Sequence, residues 1–504
     1  MHKGPASEDT KGESHAGVSG LAYRNGSLAM MFALVLASLA ALALRAPSPL
    51  TPVADAIMDR TPVSVAIPLL LRLGPLAQPL ALCGAAALAL LAGGLLGRLY
   101  GRPPVLPRAL LSTAILVGLL TVVAPGGDRA VLYVLLLAYL AGLHILGYRP
   151  PTIEGRRQFL AHNARIVGGF GALVALLYLQ PVAHLLRTRV AGRALFPWTP
   201  RGPRKPGFDL AGLTPEVTPV GQFYQMDQDI QRPDIDPDGW ALSIEGLVRR
   251  PVRLSLADLL ALPRHDAWVT QRCVSNPVDG HWMSTAQFSG LTIAALLARA
   301  GGYMPVASAV LFGASDGHEE SIPLALALDG GVMLAYAMDG RLLEQAHGFP
   351  ARALIPGYYG YKSVKWVTTL RVTTSPGPGF WEQRGWAALP EVHTIARIDV
   401  ARRDGRGLVV AGVAFAGQRG VRAVQVRVDD GPWHAAALHT PTLSPLTWVQ
   451  WRLTLPPRLL PSRGAITVQA RAIDGRGATQ TEVRHDQYPS GATGYDTRVV
   501  SGEW

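Results

Sequence analysis

One of the two cysteines in this 504-residue chain, Cys273, stands in the polar stretch Arg272-Cys-Val-Ser-Asn-Pro-Val-Asp-Gly-His-Trp282. The other, Cys83, sits in an apolar run and reads as a small hydrophobe. Their contrasting surroundings argue against a disulfide. A lone thiol is either buried and inert, or committed to chemistry as a nucleophile or a soft metal ligand. Taken alone Cys273 reads as inert, and what surrounds it shifts the reading towards chemistry. A second concentration of function-bearing residues lies downstream. Five of the 47 Lys and Arg residues are lysines, yet Lys362 and Lys365 share one Gly- and Tyr-rich turn. A lysine is a compact point charge suited to phosphate, where this chain otherwise uses arginine.

Four ordered segments around these residues form a pattern. They are Pro219 to Tyr224, Arg272-Cys273-Val274-Ser275-Asn276, His347-Gly-Phe-Pro-Ala-Arg352, and Pro356-Gly-Tyr-Tyr-Gly360-Tyr-Lys362-Ser-Val-Lys365-Trp366. Together they resemble the pterin turn, the cysteine loop, and the HGxPxR and PGxxGxKxVKW segments of the sulfite oxidase family of molybdopterin enzymes. The resemblance implies a molybdenum–molybdopterin cofactor, with Cys273 as metal ligand and catalytic residue. It also implies cofactor contacts from Phe223, Tyr224, Arg272, Ser275 and Asn276, and from His347, Arg352, Gly360, Lys362 and Lys365. The implied activity is oxygen-atom transfer with a small-molecule substrate, electrons being exchanged with a separate redox partner. Direction stays open between sulfite oxidation and sulfoxide reduction. Arginines follow the Cys-x-x-Asn segment in sulfite-oxidising members; Pro277 and Val278 follow it here, so sulfite is not a given.

These choices make chemical sense. Molybdenum held by a dithiolene is soft and accepts one more sulfur, and a pterin phosphate calls for fixed cations. Asp316, in a Ser-Asp-Gly-His turn, falls where the family lines the mouth of its site, although a plain turn acid explains it as well. His281 and Trp282 are further candidates for the opening. No Cys-x-x-Cys-His motif and no iron–sulfur cysteine set is present, so neither haem nor such a cluster is expected. His144, His162 and His184 read as structural. A rival reading is a non-catalytic cell-surface binding protein with a degenerate cofactor domain.

The elements that must position these residues divide the chain. Charge-free apolar runs at 28–44, 76–97, 109–124, 130–147 and 166–186 read as about five membrane spans. With the amino terminus inside, ten basic residues fall on inner segments and four on outer ones, which satisfies the positive-inside rule. The expected order is a cytoplasmic tail (1–26), a transmembrane region (27–190) and a Pro/Gly-rich linker (191–221). An α+β molybdopterin domain (222–376), an extracytoplasmic β-sandwich (391–486) and a tail (487–504) follow. Arg156-Arg157-Gln-Phe-Leu160 resembles an internal twin-arginine signal, and the whole resembles membrane-anchored bacterial members of the family. Short alternating strands after Val392, with a turn at Asp429-Asp430-Gly431, read as the family's immunoglobulin-like β-sandwich. In soluble relatives that domain pairs two subunits, so a homodimer is one arrangement it allows. The net charge of +12 is dispersed arginine and gives no case for nucleic acid.

Within the α+β segment the pattern predicts a helix over 255–261, a strand over 267–271 delivering Cys273, and a helix over 290–300.

Overall fold

The structure is a computed structural model. It describes residues 10–44, scattered positions between 48 and 73, 77–100, 139, 193, and 207–501 apart from 228–231, 405–406 and 462–463. The chain divides into two compact units, the first holding Met1–Thr188 with Asp229–Asp234, and the second Arg189–Gln228 with Ile235–Trp504.

The first unit contains two long helices, α1 (Thr10–Leu44) and α2 (Ala77–Tyr100). Small residues let their backbones approach. A methyl on Gly93 would overlap the Met30 side chain, one on Gly94 would lie 2.6 Å from the Ser27 hydroxyl, and that hydroxyl donates to the Leu90 carbonyl at 3.1 Å. Ala29, Met30, Ala33 and Leu34 of α1 are buried in one cluster with Ala85, Ala86 and Leu96 of α2, while Leu88, Leu91 and Leu95 are exposed. Among the described residues no helix is long and apolar enough to cross a membrane. The reading of this chain as multi-pass, membrane-embedded and membrane-anchored therefore does not hold. The physical reason is that an apolar, alanine-rich helix is equally suited to packing on another helix, and the first two runs bury one face in that way. The runs at 109–124, 130–147 and 166–186, apart from Tyr139, lie outside the described residues, as does Arg156-Arg157. The twin-arginine reading served that anchored topology and falls with it.

The second unit begins its regular structure with two sheets. One has the order β2 (Val252–Ser255), β1 (Ala241–Gly246), β10 (Val367–Thr373), β5 (Ala309–Ala314) and β6 (Glu319–Pro323). The other runs β3 (His265–Arg272), β4 (Met283–Thr292), β7 (Met333–Met338) and β8 (Arg341–Leu342), with β9 (Arg352–Leu354) also paired to β7. β1 and β10 are parallel, whereas the neighbouring pairs are antiparallel. Short helices α3 (Leu256–Ala261), α4 (Ile293–Arg299) and α5 (Leu324–Ala327) connect them, which makes the body α+β. Ser255 starts α3 because its hydroxyl accepts from the Asp258 backbone while the Asp258 carboxylate accepts from the Ser255 N–H. The predicted helix over 290–300 is shorter, and Gly290 lies in β4 instead. There it faces β7 so closely that a methyl on it would overlap the Leu334 carbonyl. Every residue of β7 is buried, at the centre of a core including Leu242, Ile244, Phe288, Leu296 and Phe312.

The carboxy-terminal strands form two four-stranded antiparallel sheets. The first runs β11 (Ile395–Asp404), β12 (Gly407–Phe415), β16 (Val449–Leu455), β15 (Ala437–Leu438). The second runs β14 (His434–Ala435), β13 (Val421–Val428), β17 (Ile466–Asp474), β18 (Asp496–Val500). Ile398, Val410 and Trp451 from one share a buried cluster with Val424, Val468 and Ala470 from the other. Among the described residues no ladder joins the two sheets, so they pack over this core as a sandwich and no closed immunoglobulin-like barrel forms. Asp496–Val500 is the edge strand against Ile466–Ala470 rather than a surface tail.

Residues expected to be linker lace these parts together. The Thr214 N–H donates to Asp399 at 3.0 Å and its carbonyl accepts from Gln450 at 2.8 Å. Arg397 of β11 is buried, with Nε on Asp399 at 2.8 Å, one terminal nitrogen on the Gly280 carbonyl at 3.0 Å and the other on the Thr214 hydroxyl at 2.6 Å. Arg397→Met would leave Asp399 a buried carboxylate without its cation. The expected cost is about 3–5 kcal/mol, read as a lower thermal unfolding midpoint, and Arg397→Met/Asp399→Asn should regain much of it. An unchanged midpoint in the single variant would contradict this role.

Candidate active site

β3 ends at Arg272 and delivers Cys273 into a closed loop. The Cys273 N–H donates to the Trp282 carbonyl at 3.0 Å, and the Asn276 N–H returns to the Cys273 carbonyl at 3.2 Å. The Asn276 side chain closes the loop from inside: its oxygen accepts from the Trp282 N–H at 2.9 Å and its amide nitrogen donates to the Gly280 carbonyl at 3.5 Å. Asn276 is buried and reads the loop's own backbone. Pro277 begins the turn that brings Gly280 back, with the Gly280 N–H on the Pro277 carbonyl at 3.1 Å.

The Cys273 thiol is buried, and burial pushes its pKa up. Hydrogen bonds from the Ser275 N–H and hydroxyl, and the charge of Arg272, pull the other way without winning. A free thiolate is therefore disfavoured here, and the sulfur becomes anionic only against a bound cation.

Arg272 is fully buried beside it. Its terminal nitrogens donate to the His393 carbonyl at 3.5 Å and the Asn276 carbonyl at 3.4 Å, and its guanidinium lies 5.6 Å from the Tyr359 ring centre. Its Nε has no partner. Arg352, the first residue of β9, repeats the arrangement. It donates to Gln271 at 2.8 Å, to the His347 carbonyl at 3.3 Å and to the Ser363 carbonyl at 3.4 Å, and its Nε is likewise unpartnered. Burial lowers its pKa to about 10, which leaves it charged.

The turn before Phe223 supplies the opposite wall. Phe223 stacks on Tyr224 at 5.7 Å and meets the His347 ring edge-on at 5.5 Å. His347 Nε2 lies 3.1 Å from the Val220 carbonyl. The Tyr224 N–H donates to the Ser284 hydroxyl at 3.0 Å. Its phenol is pushed up by burial and by the proximity of Cys273, against Arg352, so Tyr224 stays protonated. Gly360 is there because nothing larger fits. A methyl at that position would overlap the Tyr224 hydroxyl and stand 3.4 Å from the Arg272 carbonyl.

The structure thus gathers Phe223, Tyr224, Arg272, Cys273, Ser275, Asn276, His347, Arg352 and Gly360. Lys365 is close by, its β-carbon 3.1 Å from where a methyl on Gly348 would sit. It pairs with Asp227 and lies 4.5 Å from the Trp366 ring centre. Asp316 feels both Lys365 and Asp227, and burial raises its pKa. Lys362 is engaged elsewhere. Fully buried, it donates to Glu320 at 2.7 Å, to the Ser321 carbonyl at 3.3 Å, and to Glu382. Of the candidates for the opening, His281 is exposed and Trp282 half-buried, while Cys83 is exposed on α2. Sequence reasoning missed Gln271, Asp227, Glu320 and Glu382. The only local signal was that Glu320 stands two residues before Ile322 in β6, on the same strand face.

One feature fits an anionic cofactor: among the described residues two buried guanidiniums each keep an unsatisfied Nε. Among the described residues no three or more His, Cys, Asp and Glu side chains converge as a metal site. A metal on Cys273 would thus take its other ligands from the cofactor or solvent.

Comparisons with known proteins agree with this chemistry. Residues 229–381 match the model of the oxidoreductase molybdopterin binding domain. The chain is 31% identical over 284 residues to the mitochondrial sulfite oxidase of Macaca fascicularis, covering 47% of this chain and 52% of that one. It is 33% identical over 153 residues to the uncharacterized oxidoreductase YuiH of Bacillus subtilis (strain 168), covering 30% of this chain and 74% of that one. The chain therefore spans about half the length of the sulfite oxidases it matches. The sulfane dehydrogenase SoxCD from Paracoccus pantotrophus superposes with a TM-score of 0.51 at 23% identity, over 57% of this chain and 82% of that one, which speaks to fold.

The Gly360 contact is testable. Gly360→Ala overpacks the Tyr224 hydroxyl and should cost about 1–3 kcal/mol. Tyr224→Phe removes that oxygen, so the double variant should recover stability in a thermal melt. Equal losses in the single and double variants would contradict the contact.

Proposed function

The chain belongs to the family of oxidoreductases with a molybdopterin-binding domain, and from that premise we propose that it carries out oxygen-atom transfer at a molybdenum held by Cys273. The observation that carries the reading is a buried thiol beside the buried Arg272, with a second buried guanidinium, Arg352, held on Gln271 of the same strand, each with an unsatisfied Nε. A thiol whose ionisation is suppressed by burial suits a site whose cation arrives with the cofactor.

We assign the cofactor to residues 222–376. Cys273 would be the one protein ligand to the metal, with Ser275 donating to its sulfur. Arg272 and Arg352 would face the anionic parts of the pterin with their free Nε donors. Phe223, Tyr224 and His347 would wall the pterin, Asn276 would hold the loop that presents the sulfur, and Gly360 would make room for the Tyr224 hydroxyl in that wall. Lys365 would add positive charge at the phosphate end. Bound there, the molybdenum pterin would supply the two-electron redox change and the site of oxygen exchange.

The chain's own residues limit the substrate. Arg272 and Arg397 both donate to backbone carbonyls of the cysteine loop. Pro277 and Val278 occupy the positions after Asn276. A small oxygen-atom donor or acceptor that does not depend on arginines at those positions suits the site, and electrons would pass to or from a separate redox partner.

Replacing the sulfur separates metal chemistry from cofactor binding. Cys273→Ala leaves the pterin contacts in place. The purified variant should keep its pterin, measured as fluorescence after oxidative release, while dye-linked turnover falls to background. A variant that stays active, or a wild-type protein lacking pterin, would overturn the reading.

A further inference from the structure

Lys362 is the centre of a buried charge cluster near the site, with all three of its donors engaged. An ammonium has three donors, and here each has an acceptor: Glu320 at 2.7 Å, the Ser321 carbonyl at 3.3 Å, and Glu382. Lys362 and Glu320 are fully buried and the Glu382 side chain nearly so. No donor is left for a phosphate. The cluster joins three pieces of chain: Glu320 and Ser321 from β6, Glu382 from the turn Glu382–Arg384, and Lys362 itself from the turn Gly360–Lys362. The seal is close, since a methyl on Gly379 would overlap the Glu320 carboxylate, and the Gly379 N–H donates to Glu382 at 3.1 Å.

What this clamp holds is the Gly360 turn. The turn it anchors places Gly360 against the Tyr224 hydroxyl and the Arg272 carbonyl, so its position sets the floor beneath Cys273. We propose that Lys362 is a positioning residue: clamped by Glu320 and Glu382, it fixes the Gly360 turn and thereby the floor of the cysteine site, without touching cofactor or substrate. The role of that floor rests on the cofactor reading above; the clamp itself does not.

Charge balance gives the clamp a titration. Two carboxylates face one ammonium. His318 Nε2 stands 4.0 Å from Glu320 Oε1, and burial lowers its pKa to about 4, so it contributes no charge at neutrality. The remaining neighbours are the Tyr361 phenol, which donates to the Ala387 carbonyl, and Lys365 and Arg384, whose charges reach His318. Glu320 Oε1 has no hydrogen-bond partner, and burial pushes the Glu320 pKa up to about 7 against the pull of Lys362. A carboxyl whose folded pKa is raised stabilises the fold at low pH, and that contribution is lost as pH rises through the folded value. The contribution should therefore fall away between about pH 4.5, the ordinary carboxylate value, and about pH 7.

Two measurements on the full chain decide the proposal. The first is pterin content with thermal midpoint. Lys362→Gln strands two buried carboxylates and should lose at least three-quarters of the pterin. Lys362→Gln/Glu320→Gln removes one of those charges and should return pterin to within twofold of wild type. A direct phosphate ligand predicts the opposite, a double variant that folds yet stays empty, and that result overturns the proposal. So does a single variant indistinguishable from wild type. The second measurement needs no cofactor and serves where the single variant fails to fold. Glu320→Gln keeps the Lys362 hydrogen bond and abolishes the titration. Between about pH 4.5 and 7 the wild-type midpoint should fall relative to this variant by about 3 °C or more, and the difference should then level off. A constant difference overturns the clamp. Wild-type protein without pterin would sink the cofactor reading alone and leave the melting comparison to judge the clamp.

Discussion

The closed loop from Cys273 to Trp282 is the constraint on which the second unit depends. A sulfur can be held at one point only if the backbone on both sides of it is fixed, and a ten-residue connection between β3 and β4 has no ladder of its own. Asn276 supplies the missing bonds from within, to Trp282 and Gly280. Two buried arginines supply them from outside, Arg272 to the Asn276 carbonyl and Arg397 to the Gly280 carbonyl. Arg397 belongs to the carboxy-terminal sheets, so those sheets help shape the cysteine site.

Burying this much charge is costly unless each ion is paired and hydrogen-bonded. The molecule meets that condition in three places. Arg397 answers Asp399, Lys362 answers Glu320 and Glu382, and Lys365 answers Asp227. Among the described residues the Nε atoms of Arg272, next to Cys273, and of Arg352 are left without a partner, as is Glu320 Oε1. The two guanidinium donors are where an anionic ligand would complete the network.

The short motifs carried much of the site. Cys273, His347, Arg352 and Gly360 are close in space because the strands and turns that present them are ordered by local pattern, as at β3 and the Gly360 turn. Their partners were not legible. Nothing near Lys362 says that its ammonium meets Glu320 and Glu382 rather than a phosphate, because that depends on where β6 and a turn twenty residues on come to lie. Arg397 is equally remote from the loop it holds. The β4 strand swallowed Gly290, which resembled a helix start, since only the approach of β7 explains a glycine there. The largest misreading, the membrane region, came from composition. Alanine- and leucine-rich runs satisfy a hydropathy window, but hydropathy does not distinguish lipid from another helix, and α1 and α2 pack on each other.

The central claim is that one thiolate of this chain completes a molybdenum site. X-ray absorption at the molybdenum edge counts sulfur neighbours directly. The wild-type protein should contain molybdenum, and Cys273→Ser should show one fewer sulfur at bonding distance while retaining the pterin. An unchanged sulfur count in that variant, or a wild-type protein without molybdenum, would contradict the account.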